Sequence, residues 1–418
     1  MTSSSATSHV GSPPCQLTFP IQRAPSTRGL STRKPSESHD LPISKSLPTT
    51  GRSGAFASAH SGAIAIRPAS GTPPSTDASN VGQSAALEIC TAAQQGLIKK
   101  TLPDLKINTI SIKFSDSTDE TLIAKKIADF FEVEHEIIDI QNYLLDLPAA
   151  ISVIGMPFWD IHWYYIAKNA KSKSNFIASG DGGDELFGGY TFRYRKFLSL
   201  IKSNSSPLDK IKAYLSCHER DWVPDQEKIF NQKTNFSWKS IHSIFEPFFN
   251  NSLSPLNQVF LADYNGKLSY NFSIIGNKIN QFFNLKPITP ILNSKLISYS
   301  SQINPNLKYD SLNNSGKIPL RKLLTKYECD SLISKEKLGF SVNTINLWNS
   351  IGRELCHTYL DNARIIEDRW INKEWISSHI TKSDLDVKYV NKFLGLLAVE
   401  IWYRLFVTKE LNSATKLS

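Results

Sequence analysis

No apolar run in this sequence reaches the roughly 18–20 residues that a membrane-spanning helix needs. The most apolar stretch, FLGLLAVEIWYRLF from Phe393, is interrupted by Glu400 and Arg404 and reads as a buried terminal helix. No membrane partner is expected. Cysteine is scarce: Cys15, Cys90, Cys217, Cys329 and Cys356 are scattered, odd in number and never spaced as CxxC. That spacing excludes a disulfide framework and a thiolate zinc site, and it points to a reducing compartment, here expected to be the cytoplasm. A basic stripe is also missing. The formal charge is +9, but residues 1–100 hold nine Lys/Arg against four Asp/Glu, while the remainder holds 38 against 34. No nucleic-acid partner follows from a body so nearly balanced.

The first hundred residues lack any hydrophobic period. They are rich in Ser, Thr, Pro and Arg, a composition that buries too little apolar surface to offset its ordering entropy. They are read as a disordered or mis-assigned segment; the Arg- and Ser-rich, acid-poor texture equally allows an organellar transit segment. From Thr101 the texture changes. INTISIKF alternates Ile110, Ile112 and Phe114 with polar residues and predicts a strand. STDETLIAKKIADFF predicts a helix opened by Ser117 and Glu120 as a capping box. EHEIIDI predicts a second strand, DIHWYYIAKNAKSK a helix and NFIASG a third strand. That rhythm belongs to an α/β fold, a parallel sheet flanked by helices, and from Tyr190 onward the pattern turns mostly helical. The expected organisation is a low-complexity segment over 1–100 and one domain over 101–410.

The third strand runs into SGDGGDELFGGY, which puts five glycines around three carboxylates at residues 179–190. Open parallel sheets bind ligands beyond the carboxyl ends of their strands. A Gly-rich turn there lets backbone N–H groups approach phosphate. The known loop signatures fail: no Lys-Ser/Thr pair follows, position 185 is Glu where GxGxxG needs glycine, and Phe192 stands where an EF-hand needs Glu. Carboxylates beside a phosphate repel it unless a divalent cation intervenes, and magnesium is the expected mediator.

These residues resemble the signature of the asparagine synthetase family, in its C-terminal synthetase domain of ATP-pyrophosphatase (adenine nucleotide α-hydrolase-like) fold. The resemblance extends to the 109–140 stretch with Asp119, Glu120 and His135, to GMPFWD, to GKIPLRKLL and to SKEKLGFSV followed by LW. It covers about residues 101–408. The resemblance implies an ATP-dependent amide-forming ligase, of amidotransferase type in the family at large. It would adenylate aspartate, release pyrophosphate, and let ammonia or glutamine-derived nitrogen displace AMP to give asparagine. On that resemblance, Ser179, Gly180, Gly182 and Gly183 would hold ATP, with Ile112 lining the adenine pocket, and Asp184 would ligate Mg2+. Asp181 would deprotonate the incoming ammonium, and Lys337 would neutralise charge on the phosphoryl group. Glu185 reads equally as a cap on the following helix.

Four departures from the family pattern stand beside these matches. SNVGQSAALEI, from Ser79, occupies the place of the Ser-Gly-Gly-x-Asp-Ser pyrophosphate loop, with Gln83 for the aspartate. Thr2, not cysteine, follows Met1, so ammonia or a separate glutaminase subunit is the expected nitrogen source. NKINQFFNLKPITPILN keeps clearly only Pro290 and Leu292 of its family counterpart, and Met156 replaces an acid. They leave two alternatives open: a related amide- or lactam-forming synthetase with another substrate, and a catalytically silent scaffold.

Overall fold

The computed structural model describes residues 63–67, 88–114, 121–141, 143–329 and 344–418. Five strands form one sheet: β1 (Ala63–Arg67), β2 (Lys106–Phe114), β3 (Glu134–Ile140), β4 (Phe176–Ala178) and β5 (Lys286–Ile288), in the order β3-β2-β1-β4-β5. β2 and β3 pair in parallel from Asn108↔Glu134 to Phe114↔Ile140, and β4 and β5 pair in parallel from Phe176↔Lys286. The expected parallel arrangement is therefore present on both wings. Between them lies a strand that the periodicity did not reveal. β1 runs antiparallel to β2, with Ala63 opposite Ile110, and antiparallel to β4, with Ile64 opposite Ala178.

The helices that position the site are α1 (Glu88–Thr101), α2 (Thr121–Phe130), α3 (Leu147–Ile154), α4 (His162–Lys171) and α5 (Gly183–Phe187). α2 is the crossover between β2 and β3; its expected capping residues, Ser117 and Glu120, lie outside the described residues, as does Asp119. α3 ends where Gly155 turns left-handed at φ 68° and its N–H returns to Ile151 O, a glycine stop of the common kind. α4 leads into β4 and runs back along the sheet, so its first residue sits at the carboxyl edge, where β4 ends.

Beyond β4 the chain is helical. α6 (Thr191–Leu200), α7 (Pro207–Ser216), α8 (Trp238–Phe249) and α9 (Pro255–Asp263) bury an aromatic cluster that includes Tyr194, Phe197, Tyr214, Phe249 and Phe260. α7 opens on a capping box in which Ser206 and Asp209 exchange hydrogen bonds, with Pro207 at its first position. A π-helical segment, Tyr264–Phe272, joins α9 to α10 (Ser273–Phe282), which leads into β5. π-helical turns are rare and often mark functional positions.

The terminal helix Val387–Phe406 buries Phe393, Leu394, Leu397 and Ile401 in the main core with Ile110, Leu144 and Ile151. Its Glu400 is buried too, and the reason is structural. One oxygen accepts from Arg364 N–H at 2.9 Å and the other from Ile365 N–H at 3.1 Å, while Arg404 donates at 2.5 Å. The carboxylate thus caps the short helix Arg364–Glu367 from another element. No described helix is long and apolar enough to cross a membrane.

α1 lies before residue 101, the boundary expected from composition. Cys90, Ala92 and Ala93 on it are buried with Leu186 and Phe187 of α5, and with Leu320 and Leu324 of α11 (Ile318–Thr325).

Candidate functional site

The glycine turn begins where β4 ends. Ser179 N–H donates to Ile288 O at 3.0 Å, extending the β4–β5 pairing by one rung, and Gly183 N–H donates to Gly180 O at 3.1 Å. Those two backbone donors are committed and neither is offered to a phosphate. Gly182 turns left-handed at φ 87°, and a Cβ there would lie 2.3 Å from Leu292 Cδ2. Leu292 belongs to the turn after β5, so the loops beyond the two parallel strands touch through this glycine. A second glycine is fixed by packing. A Cβ on Gly189 would lie 1.6 Å from Asp184 Oδ1, so any side chain there would displace the carboxylate.

Asp184 is buried, and Lys317 Nζ stands 3.2 Å from its Oδ1 with a side chain equally buried. Lys317 precedes α11, and its N–H donates to Phe187 O at 3.0 Å, so one residue clasps the turn by backbone and by charge. Burial disfavours the Lys317 ammonium, but Asp184 outweighs it, with smaller help from Cys90 and Glu185, and holds Lys317 above the ordinary amine range. This pairing bears on magnesium. An ammonium therefore competes with a cation for Asp184 Oδ1, and among the described residues no three His, Cys, Asp or Glu converge; magnesium, which takes one or two carboxylates together with phosphate oxygens, would have to share Asp184 with Lys317.

Glu185 points into the helical side of the molecule, where Tyr190 donates its hydroxyl at 2.6 Å. Burial, then the neighbouring Asp184 charge, pushes its carboxyl up to about 7. Two cations lie over the Tyr190 ring, Arg193 at 4.3 Å and Lys267 Nζ at 4.5 Å. Lys267 is on the π-helical segment and buried, and burial followed by Arg193 lowers it to about 7. It is balanced in part by Asp263, which accepts from Tyr214 at 2.7 Å.

Asp181 takes the other direction. It retains some exposure, and Ser179 Oγ donates to its Oδ2 at 2.5 Å. Burial raises its carboxyl above the ordinary range; the Ser179 hydroxyl and the charge of His162 oppose that without cancelling it. A carboxylate so placed is suited to accept a proton. Behind it, Gln94 donates to Ser179 O at 3.2 Å, tying α1 to the turn. On β3, His135 bonds Thr109 Oγ1 through Nδ1 at 2.6 Å, and burial followed by Lys125 lowers its ring to about 4.

The structure thus brings Ser179, Gly180, Asp181, Gly182, Gly183 and Asp184 onto one turn at the carboxyl edge. Ile112 is on β2, buried with the main core. Lys337 and the Ser79–Ser84 stretch lie outside the described residues. Sequence reasoning gave no role to Lys317, although GKIPLR contained it, nor to Lys267, His162 or Tyr143. Met156 packs partly buried against the main core.

The profile of the asparagine synthase family (Asparagine synthase) matches residues 84–404. Asparagine synthetase (glutamine-hydrolyzing) 1 of Bacillus subtilis is 24% identical over 347 residues, covering 74% of this chain and 54% of that protein. A Methanocaldococcus jannaschii protein provisionally named asparagine synthetase (glutamine-hydrolyzing) 2 is 31% identical over 106 residues, covering 23% of this chain and 19% of that protein. A Mycobacterium bovis protein provisionally named asparagine synthetase (glutamine-hydrolyzing) is 22% identical over 255 residues, covering 54% of this chain and 38% of that protein. The chain spans about half the length of the Bacillus relative.

Proposed function

The chain belongs to the asparagine synthase family, and from that membership we propose that it is an ATP-dependent carbon–nitrogen ligase acting on an aspartate-like carboxylate. The observation that carries this reading is the position of Asp181, partly exposed on a glycine turn beyond the parallel β4–β5 pair. Ligands of open α/β sheets bind at that edge.

In the proposed reaction the substrate carboxylate attacks the α-phosphorus of ATP, and pyrophosphate leaves. The amine then attacks the acyl-adenylate: the C–N bond forms, the C–O bond to AMP breaks, and an N–H proton passes to Asp181. Gly180 and Gly182 would contact the nucleotide, with Ile112 beneath the adenine. Lys337 would offset the negative charge that builds during adenylation. The nitrogen source would be ammonia, free or delivered by a separate glutaminase subunit. Asp184, paired at Oδ1 with Lys317, would be the residue to hold magnesium, which would offset phosphate charge there.

That pair also favours a second reading. A turn whose buried carboxylate Asp184 is paired internally with Lys317 suits a scaffold that keeps the fold without the chemistry. Carboxylate-dependent exchange of labelled pyrophosphate into ATP by the full chain decides between them. Exchange above the carboxylate-free background supports the ligase, and exchange that never rises above it with aspartate or related dicarboxylic amino acids supports the scaffold.

A further inference from the structure

The connection between α7 and α8 is tied to the terminal helix. Asn391 donates to Arg220 O at 3.0 Å and Lys392 to Asp221 O at 3.2 Å. A third tie ends on a carboxylate. Asp225 accepts from Tyr389 of the terminal helix at 3.1 Å through Oδ1, and from Trp375 Nε1 of the helix Lys373–Ile380 at 2.7 Å through Oδ2. Burial works against its charge, but these donors outweigh it and hold the carboxyl below the ordinary range. Asp225 is therefore ionised wherever imidazoles titrate.

His379 Nε2 stands 3.6 Å from Asp225 Oδ2, too far for a hydrogen bond. The other ring nitrogen explains the gap. Nδ1 lies 2.9 Å from Trp375 O and 3.0 Å from Ser378 Oγ. The carbonyl can only accept, and the Ser378 hydroxyl gives its proton to that same carbonyl at 3.0 Å. Nδ1 thus carries the ring proton, and in the neutral ring Nε2 is a lone pair facing a carboxylate. Two acceptors stand opposite each other, and one proton added to Nε2 turns them into a charge-assisted pair. The surroundings favour that proton. The ring stacks on Trp375 at 4.7 Å and on Tyr389 at 5.2 Å, faces that attract a cation. It also sits in the last turn of its helix, where the dipole favours positive charge. The titratable groups that face it are Asp225 from the connection and Tyr389 from the terminal helix. Asp386, which acts on Tyr389, and Arg353, which donates to Thr381 O at 3.1 Å, are the next charges on neighbouring elements.

We propose that His379 and Asp225 form a pH-sensitive latch, in which a proton on His379 Nε2 draws the α7–α8 connection onto the helix Lys373–Ile380 and the terminal helix. Loss of that proton restores two facing acceptors and slackens the tie. The latch is independent of the reaction proposed above, since none of its groups belongs to the glycine turn. Its contribution to stability is present while the imidazole is charged and is lost as pH rises through the imidazole range.

The test is a double-mutant cycle on the full chain, with Asp225→Asn, His379→Gln and the double variant compared by urea unfolding at pH 5 and pH 8. The latch predicts a coupling between the two positions of about tenfold in the unfolding constant at pH 5 and none at pH 8. Titrations elsewhere in the molecule cancel in the cycle. Equal coupling at both pH values, or none at pH 5, would overturn it. Ring 15N NMR of the parent chain keeps the proposal open to refutation should Asp225→Asn fold poorly, with His379 assigned by the signal missing from His379→Gln. The latch predicts a proton on Nδ1 alone at pH 8 and on both nitrogens at pH 5. A ring protonated on Nε2 alone at pH 8, or still neutral at pH 5, would overturn it.

Discussion

Single residues around the glycine turn carry much of its stability, and the Asp184–Lys317 pair is the clearest case. Removing one partner leaves an uncompensated buried charge, which costs about 3–5 kcal/mol, whereas replacing both by uncharged groups of similar shape is often close to neutral. Lys317→Met is therefore expected to lower the urea midpoint sharply, and Lys317→Met with Asp184→Asn to recover most of the loss. If the double variant is as unstable as the single one, the pair is not the interaction that matters. A second residue-scale prediction concerns pH. Glu185 has a folded value of about 7 against an ordinary 4.5. The folded state therefore favours its protonated form, and its contribution is full below the ordinary value and lost as pH rises toward 7. Lys267 has the opposite sign, lowered from 10.5 to about 7; its contribution is full above 10.5 and lost as pH falls toward 7. Both losses meet near neutrality. Urea unfolding at pH 5 and 7 should show Glu185→Gln losing less stability over that interval than the parent chain does. Equal losses would place the titration elsewhere. The sequence showed Asp184 to be special but not its partner: Lys317 and Lys337 both stand in matched motifs, and only the fold decides which lysine reaches a given carboxylate.

At the scale of elements, what could be read in advance followed the strength of the periodic signal. β2 and β3 alternate over seven to nine residues, α4 and the terminal helix have apolar stripes, and β4 runs straight into the glycine turn; all were legible. β1 is five residues long in a Ser- and Pro-rich region, too short for a pattern to form. α1, EICTAAQQGLIKKT, turns small Ala and Cys residues inward rather than a broad Leu/Ile face, so its burial depends on close approach, which composition does not report. This leads to a prediction for truncations. A chain beginning at Gly54, which keeps β1 and α1, should unfold cooperatively. One beginning at Leu102 should not, because loss of β1 removes the middle strand of the sheet and loss of α1 uncovers Leu186, Phe187, Leu320 and Leu324. Urea unfolding by circular dichroism checks both, and a cooperative transition from the shorter chain would show that β1 and α1 are dispensable.

At the scale of the molecule, a mixed sheet and two helical cores converge on one edge. The aromatic cluster of α6–α9 closes against Tyr190, the main core presents Asp160 and His162, and the α1–α11 cluster supports Leu186 and Phe187. The site is the place where three packed bodies meet, which explains why motifs about 150 residues apart in sequence were needed to recognise it. Nitrogen delivery is also a property of the whole chain. Ammonia is expected to support amide formation by this polypeptide; ATP and a carboxylate consumed without any ammonia-dependent amide would contradict the ligase reading. The most direct measurement of the central claim follows oxygen. The full chain is incubated with ATP, ammonia and aspartate labelled with 18O in its side-chain carboxylate, and the nucleotide product is examined by mass spectrometry. An acyl-adenylate route predicts AMP carrying one 18O atom for each amide formed. Unlabelled AMP, ADP with labelled phosphate, or no aspartate-dependent consumption of ATP would contradict it.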